Sequence, residues 1–146
     1  MKCVLFLLVS LVSAAASAAK NPFPVLASCN LILYDVAGGA TVASDSREVV
    51  LPAFQISPSA DLLLSGTRNE KPYVFFGLAT RDDGSNRMLI TLSKWVGDAK
   101  VELVAASTNS DTRLEPGVSA HAIYYILEAN EQIGYFACGM YVRSAE

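Results

Sequence analysis

The sequence predicts an all-β fold, an antiparallel β-sandwich of about eight or nine strands, with a closed β-barrel as the alternative. Three observations carry that expectation. Runs rich in β-branched and aromatic residues recur at hairpin spacing, clusters of Gly, Pro, Asn and Asp separate them, and no long helical period competes.

The elements follow in order. Leu31 to Val36 is a first strand, and Gly38-Gly39 supply the positive φ for a tight reversal into Ala40 to Ala43. Glu48 to Phe54 follows; Pro52, which has no N–H to donate, makes it an edge strand or ends it early. Asp61 to Ser65 is a short apolar run stopped by Gly66 and the polar Thr67 to Glu70 loop. Lys71 to Thr80 holds Tyr73, Val74, Phe75, Phe76 and Leu78 and reads as a central strand buried on both faces. The turn Asp82-Asp83-Gly84-Ser85-Asn86 sends it back into Met88 to Val96, the clearest hairpin. Gly97-Asp98 reverses the chain into Lys100 to Ala106, ahead of the polar stretch Ser107 to Ser119. A closing hairpin pairs His121 to Glu128 with Ile133 to Arg143 across Ala129 to Gln132. In its second strand, Phe136, Cys138, Met140 and Val142 share the face assigned to the core; Tyr135, Ala137, Gly139 and Tyr141 share the other.

Residues 1–19 read as a signal peptide: Lys2 is the positive n-region, Cys3 to Val12 the apolar h-region, and Ala14 to Ala19 the small residues before cleavage after Ala18 or Ala19. The apolar run is too short to span a bilayer and meets Lys20, Asn21 and Pro22. Residues 20–146 then form a single secreted β domain, long enough for one hydrophobic core. Polar turns and charges interrupt every later run, so no membrane span is expected.

Loss of Lys2 takes the net charge from −3 to about −4. The basic residues are scattered along the chain, which argues against nucleic acid or anionic lipid as the main partner, since both require clustered cations. Cys3 leaves with the leader, so Cys29 and Cys138 remain, and in an oxidising compartment they are expected to form one disulfide closing a loop of about 110 residues. Two separate thiols or an intermolecular bridge are the alternatives. Cys29 precedes the first strand in this reading, so the bridge ties its start to the middle of the last strand.

Catalytic chemistry finds little support. His121 is the single histidine and would have to serve any Ser-His-Asp triad, but no Gly-x-Ser-x-Gly elbow accompanies it. One imidazole and a paired set of cysteines leave no zinc site. Asp82, Asp83 and Asn86 could offer oxygens to calcium, yet the twelve-residue EF-hand spacing is missing and Asp-Gly is sufficient as turn chemistry. Glu48, Glu102, Glu115 and Glu128 contain no pair singled out for acid–base work. No catalytic residue, metal or cofactor is expected.

Trp95, Tyr124, Tyr125, Tyr135 and Tyr141 form a candidate interaction surface, because aromatic rings anchor interfaces. Cross-strand packing within the sheet is the competing explanation, and Tyr124 and Tyr125 must face opposite ways in a regular strand. Leu114-Glu115-Pro116-Gly117 resembles the Leu-x-Pro-Gly corner of fibronectin type III modules over those four residues; Ser119, Ala120 and His121 stand where that corner has its tyrosine, and Pro-Gly also suits a type II turn.

Three functions follow. The first is a secreted, non-enzymatic sandwich that binds an extracellular protein or glycan. The second is a lipocalin-like carrier of a small apolar ligand inside a barrel, although Trp95 lies mid-chain, away from the Gly-x-Trp position of that family. The third is a structural constituent of an extracellular matrix or fluid.

Overall fold

Eight antiparallel strands build the computed structural model, which describes residues 22–53, 58–82, 87–108 and 114–144. They are β1 (Val25–Tyr34), β2 (Thr41–Leu51), β3 (Ser59–Arg68), β4 (Lys71–Asp82), β5 (Arg87–Val96), β6 (Ala99–Ser107), β7 (Ser119–Glu128) and β8 (Glu131–Val142). They form two four-stranded sheets, β2-β1-β8-β7 and β3-β4-β5-β6. The expected β-sandwich is what the chain forms.

The strand order is close to that of a barrel. β1 to β8 succeed one another around the molecule and β8 returns to pair with β1, the circular order of an up-and-down barrel. No ladder joins β2 to β3 or β6 to β7, so the wall is open along two seams and the barrel does not close. The inward side chains pack straight across the gap: Phe75 stacks on Phe136 with centroids 5.1 Å apart, and Leu31, Leu64, Met88, Ile90, Leu92 and Met140 are fully or almost fully buried. In the middle of the sandwich packed side chains thus fill the space between the sheets.

Cys29 and Cys138 are directly opposed in the β1–β8 ladder and form a disulfide, with an S–S distance of 1.95 Å. Cys29 lies inside β1, not ahead of it, because the strand starts at Val25. Leu26, Ser28 and Asn30 gave that segment little strand character in sequence; pairing with β2 on one side and β8 on the other supplies it. The bridge therefore joins the middles of two central strands.

Other boundaries moved for similar reasons. Ala40 to Ala43 and the start of Glu48 to Phe54 merge into β2, whose polar middle needs only one ladder partner at a sheet edge. It ends at Leu51, immediately before Pro52, while Phe54 lies outside the described residues. β4 is interior to its sheet but buried on one face: Tyr73, Phe75, Gly77, Ala79 and Arg81 point inward, and Phe76 and Leu78 are only half-buried on the other. The face assignment of β8 holds, with Phe136, Met140 and Val142 at 0% exposure and Cys138 at 5%.

Turn chemistry follows the sequence at three places: Gly38, Gly97 and Gly117 have positive φ, and Val118 N–H donates to Glu115 O at 3.1 Å across Pro116-Gly117. Gly39, expected to share the left-handed conformation with Gly38, does not adopt it. The β3–β4 and β7–β8 hairpins close instead on Asn69-Glu70 and Ala129-Asn130, all four with positive φ. Most of the turn Asp82 to Asn86 lies outside the described residues.

Arg81 stands in the inward file of β4 with no exposed surface. Its Nη1 donates to Phe23 O at 2.5 Å and to Pro52 O at 3.4 Å, so it fastens the entry to β1 and the exit of β2 to the opposite sheet.

Candidate functional site

Opposed residues on antiparallel neighbours share a face, which lets the ladder registers lay out the outer surface of the first sheet. Four rows cross β2, β1, β8 and β7: Val50, Leu26, Tyr141, Ser119; Glu48, Ser28, Gly139, His121; Ser46, Asn30, Ala137, Ile123; and Ser44, Ile32, Tyr135, Tyr125. In the two middle rows the β8 positions are Gly139 and Ala137. Small residues between Tyr141 and Tyr135 lower the floor of the sheet.

The result is a groove of about 530 Å³ lined by Leu26, Ser28, Asn30, His121, Ile123, Ala137, Gly139 and Tyr141, with backbone of Ala122, Cys138 and Met140 beneath. His121 lies over Gly139: a β-carbon built there would be 2.9 Å from His121 Nδ1. Ile123 and Tyr141 are 44% and 45% exposed, so the apolar wall is open to solvent. The lining holds no Lys, Arg, Asp or Glu, although Glu48 borders it on β2. Chemically the groove offers apolar and aromatic contact, one imidazole, two hydroxyls (Ser28 and Tyr141) and one amide.

The five aromatic residues singled out in sequence do not make one surface. Tyr125, Tyr135 and Tyr141 belong to the outer face just described, with Tyr125 52% exposed. Tyr124 points inward and packs on Phe75, its ring centroid 6.2 Å away. Trp95 belongs to the second sheet, where it meets Phe76 edge-on at 5.6 Å. Ser28, Asn30, Gly139 and Ile123 were not singled out: the expected Cys29–Cys138 bridge brings the first and last strands together, but it does not give the ladder register that puts these side chains on one outer face.

Glu128 is held by three donors. Lys71 Nζ and Arg68 Nη1 each lie 2.6 Å from its carboxylate, and the Tyr73 hydroxyl donates to Oε1. Arg68 also donates to the carbonyls of Tyr34 and Asp35. The hydrogen bonds from Lys71 and Tyr73 pull the Glu128 carboxyl down to about 2. Burial and the neighbouring carboxylate push the Tyr73 phenol up, and the bond to Glu128 raises Lys71. This cluster ties the β3–β4 hairpin to the β7–β8 hairpin and keeps Glu128 ionised, which suits a structural tie and not a proton donor.

Glu48, Glu102 and Glu128 stand on β2, β6 and β7, and Glu115 in the loop before β7. Among the described residues no cluster of three or more His, Cys, Asp or Glu has the closeness to hold a metal ion. Among them, too, no helix is long and apolar enough to cross a membrane. No family model, no curated protein and no solved structure matches the chain.

Proposed function

We propose that this chain is a secreted, non-enzymatic binding protein whose ligand-contacting face is the outer surface of the β2-β1-β8-β7 sheet, with an extracellular protein or glycan as its partner. The groove carries this reading. A rigid floor of three ladder-paired strands, stapled beneath by the Cys29–Cys138 disulfide, presents aromatic and apolar walls and a few polar groups in an open concavity. Its uncharged lining selects a neutral ligand surface over an ionic one. The leader read in residues 1–19 and the disulfide agree with an oxidising, extracellular setting.

The test is a glycan array and a panel of extracellular proteins probed with the wild type and with Tyr141→Ala and His121→Ala, both at exposed positions where the fold is spared. A ligand bound by the wild type and weakened about ten-fold or more by Tyr141→Ala supports the reading. Equal binding by both variants contradicts it. Turnover of ester, peptide or glycoside substrates that disappears in His121→Ala would make the chain an enzyme instead.

A further inference from the structure

We infer that the chain has a second ligand site, a cleft between the two sheets at the β5–β6 turn, and that it takes a medium-chain carboxylate with its tail between the sheets and its head group on Lys94. This site is separate from the outer-face groove.

The seam between β6 and β7 is not uniform along its length. Leu103, Val104 and Ala106 of β6 pack onto the core, but toward the β5–β6 turn Val101 is 40% and Val96 54% exposed. Across the gap β7 contributes Tyr124 and Ile126 from its inward file, with Leu127 at the edge. The sheets splay here and leave a cleft of about 290 Å³, with Phe75 and Tyr124 inside and Trp95, Val96, Ile126 and Leu127 around it. That volume is at the small end of ligand cavities, about 300–1,000 Å³, and selects a single chain over a two-chain lipid.

Lys94 makes the cleft more than an apolar slot. It is opposed to Phe75 in the β4–β5 ladder, which puts it in the inward file of β5 behind Ile90 and Leu92. A lysine in such a file is ordinarily paired with a carboxylate. Among the described residues Lys94 is in no ion pair, and the nearest acid of the lining, Glu128, is already held by Arg68, Lys71 and Tyr73. The lining thus contains two ammonium groups, Lys71 and Lys94, against one engaged carboxylate; Glu70 and Asp98 stand in the β3–β4 and β5–β6 turns and Glu131 opens β8, all outside the lining. An unpaired ammonium at the rim of an apolar cleft is complementary to an amphipathic anion with one carboxylate.

Trp95 borders the cleft with its ring edge-on to Phe76 on the outer face of β4, so binding is read by isothermal titration calorimetry, with the emission of this single tryptophan as a second signal. The full mature protein is titrated with decanoate and with decan-1-ol below their aggregation limits, as wild type, Lys94→Met and Lys94→Arg. The expected result is a saturable change with decanoate, binding about ten-fold weaker for decan-1-ol, loss of that difference in Lys94→Met and its retention in Lys94→Arg. No saturable change, equal affinity for acid and alcohol, or unchanged decanoate binding in Lys94→Met overturns the inference. Co-sedimentation with anionic vesicles in place of saturable decanoate binding overturns it too, in favour of a membrane surface. Should Lys94→Met fail to fold, the acid–alcohol comparison on the wild type decides alone. Neither outcome touches the outer-face groove, which is read through Tyr141.

Discussion

Gly77 of β4 lies against the disulfide of the opposite sheet: a β-carbon built on it would stand 2.5 Å from Cys138 Sγ and 2.5 Å from Cys29 Sγ. The missing side chain in one layer makes room for the bridge in the other. Gly77→Ala is therefore expected to destabilise by about 1–3 kcal/mol through overpacking, measured as a lower denaturant midpoint with the bridge intact. In a Cys29→Ala, Cys138→Ala background, itself less stable by about 2–5 kcal/mol, most of the Gly77→Ala cost should vanish because the clashing sulfurs are gone. Additive effects would contradict the packing described here.

Acid stability should depend on Glu128. Its folded carboxyl is held near 2, below its ordinary range, so its contribution is fully present above the unfolded value and is lost as pH falls from about 4.5 toward 2. Glu128→Gln is expected to flatten this limb of the stability–pH curve. Tyr73 and Lys71 are both raised, so their contributions are lost at the alkaline end, above about pH 10. Urea midpoints from pH 2 to 7 on wild type and variant measure the acid effect. An unchanged acid limb in Glu128→Gln would show that the cluster, solvent-accessible as it is, is screened to insignificance.

Arg81→Met keeps most of the buried volume but withdraws the donors to Phe23 O and Pro52 O. Both acceptors are solvent-accessible, so the cost is that of losing hydrogen bonds from a charged donor, about 1.5–3 kcal/mol. Hydrogen exchange should also rise locally, at the start of β1 and the end of β2, more than in β4 and β5. Uniform change across both sheets would mean that Arg81 is not the tie between them.

Ala129 adopts φ +49° in the β7–β8 turn, a left-handed conformation disfavoured by its β-carbon. Ala129→Gly is expected to stabilise by up to about 1 kcal/mol. A rise in thermal midpoint with unchanged far-UV circular dichroism checks this. A fall would show that the loss of unfolded-chain restriction outweighs the relief of strain.

The strand inventory was largely legible because each strand announces itself locally, through alternation and through punctuation such as Gly97 and Pro116-Gly117. The inward file Phe136, Cys138, Met140, Val142 could be read from the two-residue period alone. The beginning of β1 was hidden because Ser28 and Asn30 are poor strand formers that hold their place through neighbours on both sides. Arg81 was hidden for a related reason: nothing in sequence foretells that Phe23 and Pro52 will bring carbonyls to it. The groove itself is a product of lateral register. Ser28 and Gly139 are far apart in the chain and become neighbours only through the β1–β8 ladder, while Trp95, grouped with the tyrosines in sequence, ends on the other sheet.

Where a ligand lands distinguishes the two sheet faces most directly. A glycan or protein identified on the arrays is titrated into isotope-labelled protein and its amide shift changes are mapped. Changes centred on Ser28, Asn30, His121, Ala137 and Gly139, with the outer positions Leu78 and Thr91 of the second sheet unmoved, are the expected result. Changes confined to the second sheet or to the loops would contradict the assignment of the outer β2-β1-β8-β7 surface as the binding face.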